Sequence, residues 1–157
     1  MKFFWSVLAF VFLNAVQPGY ALDQNKQQII DAFQAPFSIY LNALHELSGA
    51  LDAAGSEHDV VKATDHFCDE ANRFVDEFNA TKDRYQGTPE LKSLESDPEA
   101  KQAVTSFMTD LKAKIEDAKP TFDNLIQHIT KFQGSPEIRR VRDRVSATVQ
   151  RIQLINL

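Results

Sequence analysis

PEAKQAVTSFMTDLKAKIEDAKPTFDNLIQHITKF, residues Pro98 to Phe132, is the stretch whose reading decides the fold. Its apolar side chains at Val104, Met108, Leu111, Ile115, Ala118, Phe122, Leu125, Ile129 and Phe132 recur at intervals of four and three. That is the a/d seam of a helix that buries one stripe against other helices, as in a coiled coil. Pro120 sits inside the run without shifting its phase. With Met108 at position a, Pro120 falls at f, the outermost position, so its missing hydrogen bond faces solvent. The expectation is one helix, bent at Pro120 and convex toward water, with shorter helices covering it.

Two more long seams precede this one. From Asp23 to Ala54 the stripe is Ile30, Phe33, Phe37, Tyr40, Leu44, Leu47, Leu51 and Ala54. Pro36 lacks an N–H and crowds the carbonyl of Ala32, which predicts a kink or a restart there. Ala54-Gly55-Ser56 is a turn, with Ser56 as the N-cap of the next helix. That helix spans Glu57 to Tyr85 on Val60, Thr64, Phe67, Ala71, Phe74, Phe78, Thr81 and Tyr85, widened on one side by Val61, Cys68 and Val75. Its other faces carry Asp59, Asp65, Asp69, Glu70, Asp76, Glu77 and Asp83, and Gln86-Gly87 ends it.

Thr88-Pro89-Glu90 and Asp97-Pro98-Glu99 each place a capping side chain before a proline at the first helical position. They bracket a helical turn or two. Gln133-Gly134-Ser135-Pro136 is a stop followed by a fresh start. The last helix buries Ile138, Val141, Val145, Thr148, Ile152 and Ile155, and it carries Arg139, Arg140, Arg142, Arg144 and Arg151. Arg142, Arg144 and Arg151 flank the seam at e and g, where they are expected to pair with the acids of the second long helix. The fold class expected is all-α: an antiparallel four-helix bundle with proline-kinked first and third helices.

Ahead of these helices, Met1-Lys2 is a positive n-region, Phe3 to Val16 is almost wholly apolar, and Gly19-Tyr20-Ala21 sets small residues at a cleavage site. This is the layout of a secretory signal peptide, with cleavage expected after Ala21. Its apolar run falls short of the ~20 residues that span a bilayer, and no Cys follows for lipid attachment. The domain plan is therefore a signal peptide over 1–21 and one helical domain over 22–157, with no transmembrane segment after cleavage. The protein is expected to be exported: periplasmic in a bacterium, secreted otherwise. The net charge of −5 becomes one unit more negative when Lys2 is removed, which disfavours general nucleic-acid binding. The lone Cys68 forms no intramolecular disulfide and reads as a small buried hydrophobe.

Residues that could carry chemistry are few. The four histidines fall beside the seams, His45 and His58 at b, His66 at c and His128 at g. His66 and Glu70 share a face, but two ligands do not make a metal site. A non-covalent haem would need Met108 opposite His45 or His66; Met108 and His128 lie ~30 Å apart on one helix. No Glu-x-x-His pair, His-Glu-x-x-His, Cys-x-x-Cys-His or nucleophile elbow occurs. No catalytic, cofactor-binding or metal-ligating residue is assigned, and no cofactor. The phenylalanines and tyrosines of the seams read as core, the alternative being the lining of a cavity for an apolar ligand. Asn79-Ala80-Thr81 fits a glycosylation sequon in an unfavourable helical setting.

These readings make the chain an exported non-enzyme that acts through contacts with an unidentified protein partner or as a small scaffold. A carrier of an apolar ligand or cofactor in the bundle core and reversible membrane-surface binding by amphipathic helices are the alternatives. A hidden binding site is expected first between the inner side of the Pro120 bend and the Pro36 bend.

Overall fold

The computed structural model describes residues 23–155, so the signal peptide expected over 1–21 lies outside the described residues. Within them every regular element is an α-helix: α1 (Gln24–Asp52), α2 (Glu57–Tyr85), α3 (Pro89–Ser96), α4 (Pro98–Asp117), α5 (Lys119–Lys131) and α6 (Pro136–Gln153). Five of these have 13 residues or more, and α3 has eight.

Caps written into the sequence set most of the boundaries. The Ser56 side chain accepts from the Asp59 N–H while Asp59 accepts from the Ser56 N–H, a reciprocal capping box at the start of α2. Thr88, Asp97 and Ser135 cap α3, α4 and α6 in front of their prolines. Gly87 takes φ +79° in the turn that leaves α2, a left-handed conformation suited to glycine. α1 runs through Pro36 as one continuous helix, so the restart considered there does not occur.

The third seam departs from expectation. It is not a single bent helix: α4 ends at Asp117 and α5 starts at Lys119, with Ala118 serving both as the C-cap of one and the N-cap of the other. Pro120 is the cause, because it offers no N–H to the carbonyl of Glu116 and crowds it. The Ala118 N–H turns back to Lys114 and Ile115, and the Thr121 N–H bonds the Ala118 carbonyl at 3.0 Å. Ala118 keeps near-helical angles, φ −84° and ψ −5°, so the break consumes one residue. The seam phase survives it: all nine apolar positions are buried or half-buried, while Pro120 itself is exposed.

α1 and α2 form an antiparallel hairpin that holds most of the core. α4 and α5 lie along α1 in the same direction, since Lys26 meets Asp97 at 2.5 Å across 71 residues and Asp52 meets Asn124 at 2.9 Å across 72. α6 runs parallel to α2, with Arg140, Arg144 and Arg151 meeting Asp65, Asp69 and Asp76, each 75 residues earlier. With α4 and α5 taken together, successive long segments alternate in direction, but the flanking layers sit beside helices that point the same way.

The core has two parts. One joins the second half of α1 and the first half of α2 to Leu125 and Ile138, and the other joins Phe37, Phe74, Val75 and Phe78 to Leu111 and Ile155. A run of aromatic rings links them: Tyr85, Phe33, Phe78, Phe37, Phe74, Tyr40, Phe67 and Phe122 stand in sequence with centroids 5.1–6.2 Å apart. Edge-to-face and tilted contacts of this kind add to the area each ring buries.

Candidate functional site

Two helical stripes face one another where α4 gives way to α5. α1 contributes Leu41, Leu44, His45 and Ser48. The facing stripe holds Lys114, Asp117, Ala118 and Thr121 with the same spacing of i, i+3, i+4 and i+7. Such spacing puts all four residues of a helix on one side, and parallel helices keep the two stripes in step. The α4–α5 stripe has no large apolar side chain here; Lys114 and Asp117 are exposed, and Ala118 and Thr121 are small. The result is a surface groove of about 260 Å³.

Lys26, Arg73, Lys119, Arg140, Arg144 and Arg151 all engage acids. Lys114 and Asp117 enter no ion pair among the described residues, with each other or with a neighbour, and the side chains of His45, Ser48 and Thr121 make no hydrogen bond among them. Thr121 is only 7% exposed. Other threonines in these helices return their hydroxyls to the carbonyl four residues back, as Thr64 does to Val60 at 2.7 Å and Thr105 to Lys101 at 2.8 Å. The Thr121 hydroxyl does not. Leu41, Leu44 and Ala118 supply the apolar part of the lining.

The residues weighed from sequence are dispersed. His66 does not pair with Glu70; its Nε2 lies 2.7 Å from Glu46 Oε2 on α1, and Glu70 bonds Arg73 instead. Met108 packs on the Phe37–Phe74–Phe78 part of the core. His45 lines the groove, His58 is exposed near the start of α2, and His128 buries an Nδ1 without a partner among the described residues. No group of three or more His, Cys, Asp or Glu among the described residues is placed to hold a metal ion. The aromatic positions interlock as described, and Phe132 packs on the first part of the core.

Cys68 is fully buried on α2, and burial pushes its thiol above the ordinary range. Beside it, Asn72 donates to the Cys68 carbonyl at 2.7 Å and to Thr148 Oγ1 at 3.3 Å, tying α2 to α6. Arg144 and Arg151 pair with acids of α2, whereas Arg142 pairs with Asp143 on its own helix. Arg140 takes a place in the ladder that sequence spacing did not assign to it: both its terminal nitrogens reach Asp65, at 3.1 and 2.8 Å. Hydrogen bonds from Arg140 and then Arg144 hold the Asp65 carboxyl below its usual range. Among the described residues no helix is long and apolar enough to cross a membrane.

Against known proteins the chain stands apart: no protein-family model, no curated protein and no solved structure matches it.

Proposed function

We propose that this chain is an exported, non-enzymatic four-helix-bundle protein, with α4 and α5 together as its third helix, that acts through contacts with another protein or as a small scaffold. The interlocked aromatic core carries this reading. Rings packed at 5.1–6.2 Å from Tyr85 through to Phe122 fill the bundle interior along its length, which favours work done at the surface over carriage of an apolar molecule inside. The outward faces of the helices are well charged, and two large apolar side chains stand in water on them, Ile126 on α5 at 60% exposure and Leu154 after α6 at 76%.

The test starts from the natively expressed protein. Its N-terminus should read from Leu22 in the exported fraction; retention of residues 1–21 there would refute the export step. Cross-linking in that compartment followed by mass spectrometry should recover one partner with the wild type and lose it with a variant carrying Ile126→Lys and Leu154→Lys. Equal recovery with both, or none with either, would refute a contact surface built on those residues.

A further inference from the structure

We propose that Asn79 is the acceptor of a single N-linked glycan, attached as the chain enters a eukaryotic secretory pathway and before it folds. The inference rests on the reading that the chain is exported. Asn79-Ala80-Thr81 is an acceptor sequence, and no other asparagine of the chain has Ser or Thr two residues on. The layout of residues 1–21 delivers the chain to the compartment in which that sequence is used. The transfer joins the Asn79 side-chain nitrogen to C1 of an oligosaccharide carried on a dolichyl diphosphate. The N–C bond forms as the C1–O bond breaks, dolichyl diphosphate leaves with the bonding electrons, and one amide proton passes to a base of the transferase.

In the folded protein the two ends of the sequence stand apart. Asn79 is exposed on α2, while Thr81 is 9% exposed on the side that packs into the bundle. Two residues along a helix turn through about 200°, so a transferase that must hold both side chains cannot engage them there. The helical setting therefore requires transfer to come before folding, and the order of the core provides that interval. α2 shares its core with Leu111, Leu125, Ile138 and Ile155, all later in the chain than Thr81, so none of them has entered the lumen when Asn79 does. Helices draw most of their stability from such packing; α2 is not yet held when the transferase meets it. The finished fold leaves room for the product. α6 meets α2 with an offset of 75 residues at Asp65, Asp69 and Asp76. On that offset Gln153, the last residue of α6, reaches Phe78, so the helix stops short of Asn79. The Asn79 side chain makes no hydrogen bond among the described residues, and its modification breaks no contact of the fold.

The test uses the full chain expressed in its own cells and recovered from the exported fraction. Peptide N-glycosidase should raise its mobility on a denaturing gel by one step, and in heavy-oxygen water it should leave a labelled aspartate at position 79. Asn79→Gln and Thr81→Ala should each abolish the step, and Thr81→Ser should keep it. Asn79→Gln should also keep the melting temperature of the glycan-free wild type, which separates loss of the acceptor from loss of the fold. Folded, glycan-free protein should resist the same transferase and lipid-linked donor, whereas the chain translated into microsomes should be modified; modification of the folded protein would overturn transfer before folding. Exported protein with the bare mass of residues 22–157, or a mobility step that survives Asn79→Gln, would overturn the site. A chain whose residues 1–21 are replaced by a secretory signal of established activity separates the site from export. A glycan at Asn79 in that chain, with the wild type held in the cytosol, upholds the acceptor and refutes export; secretion of that chain without a glycan refutes the acceptor.

Discussion

Replacing Asp65 by asparagine keeps the shape of the side chain and removes its charge at the centre of the α2–α6 contact. Asp65 accepts from Arg140 Nη1 at 3.1 Å, Arg140 Nη2 at 2.8 Å and Arg144 Nη1 at 2.7 Å, and its side chain is about one quarter exposed. Fully exposed ion pairs contribute about 0.2–1 kcal/mol, and hydrogen bonds to buried charges about 1.5–3 kcal/mol. Asp65 lies between these limits, and both arginines keep a second acid, Glu137 and Asp69 respectively. The expected loss is about 1–2 kcal/mol, seen as a lower urea midpoint at unchanged slope and a melting temperature about 3–6 °C lower. The pH dependence gives the stricter check. The folded carboxyl has a depressed pKa, so its contribution is complete above the unfolded value near about 4 and is lost as pH falls through the folded value. Wild type and variant should therefore differ by a constant amount above about pH 5 and converge in acid. Equal stability at pH 7, or a difference that persists once the wild-type carboxyl is protonated, would refute this account of how α6 is held.

Phe74→Ala should cost about 3–5 kcal/mol in urea unfolding, because Phe74 is 1% exposed and touches Phe37, Tyr40 and Phe78; Phe74→Leu should recover most of that loss. Ser56→Ala removes the acceptor for the Asp59 N–H and should lower stability by about 1 kcal/mol, measured the same way. Cys68 should react with an aromatic disulfide reagent only at the rate of global opening, since its thiol is buried and its pKa is raised; rapid modification of the native protein would contradict the packing of α6 on α2.

Periodicity and capping chemistry made most of the secondary structure legible. α2 begins and ends where Ser56 and Gln86-Gly87 place it, and α6 starts at Pro136 behind Ser135. The division of the third seam was not legible, because a break that uses one near-helical residue, Ala118, leaves the apolar phase intact. Neighbours across helices were legible in part: Arg144 and Arg151 meet acids of α2 as their places beside the seam implied, but a seam states which side is buried and not against what, so His66 could be matched to Glu70 on its own helix and not to Glu46, 20 residues away. The groove has a weak sequence signature for the same reason. Its marks are a proline two residues past an alanine and a stretch of α4–α5 with small or charged side chains on the side toward α1, and only the parallel placement of α1 turns these into a groove. The groove lies between the helices that carry Pro36 and Pro120, and its lining on α1 is beyond Pro36, at Leu41 to Ser48.

Parallel helices in contact have no inherent stop against sliding, and the arginine ladder supplies one. Arg140, Arg144 and Arg151 are spaced four and seven apart, as are Asp65, Asp69 and Asp76. If α6 moved one turn toward the end of α2, Arg140 would reach Asp69, but Arg144 would face Arg73 and Arg151 would face Ala80. One turn the other way would set Arg140 over Val61. Each displacement loses an ion pair or creates a repulsion, while the apolar stripe alone would tolerate either. The three arginines thus act as a key cut to one position, and what they contribute is the uniqueness of the folded arrangement more than its depth.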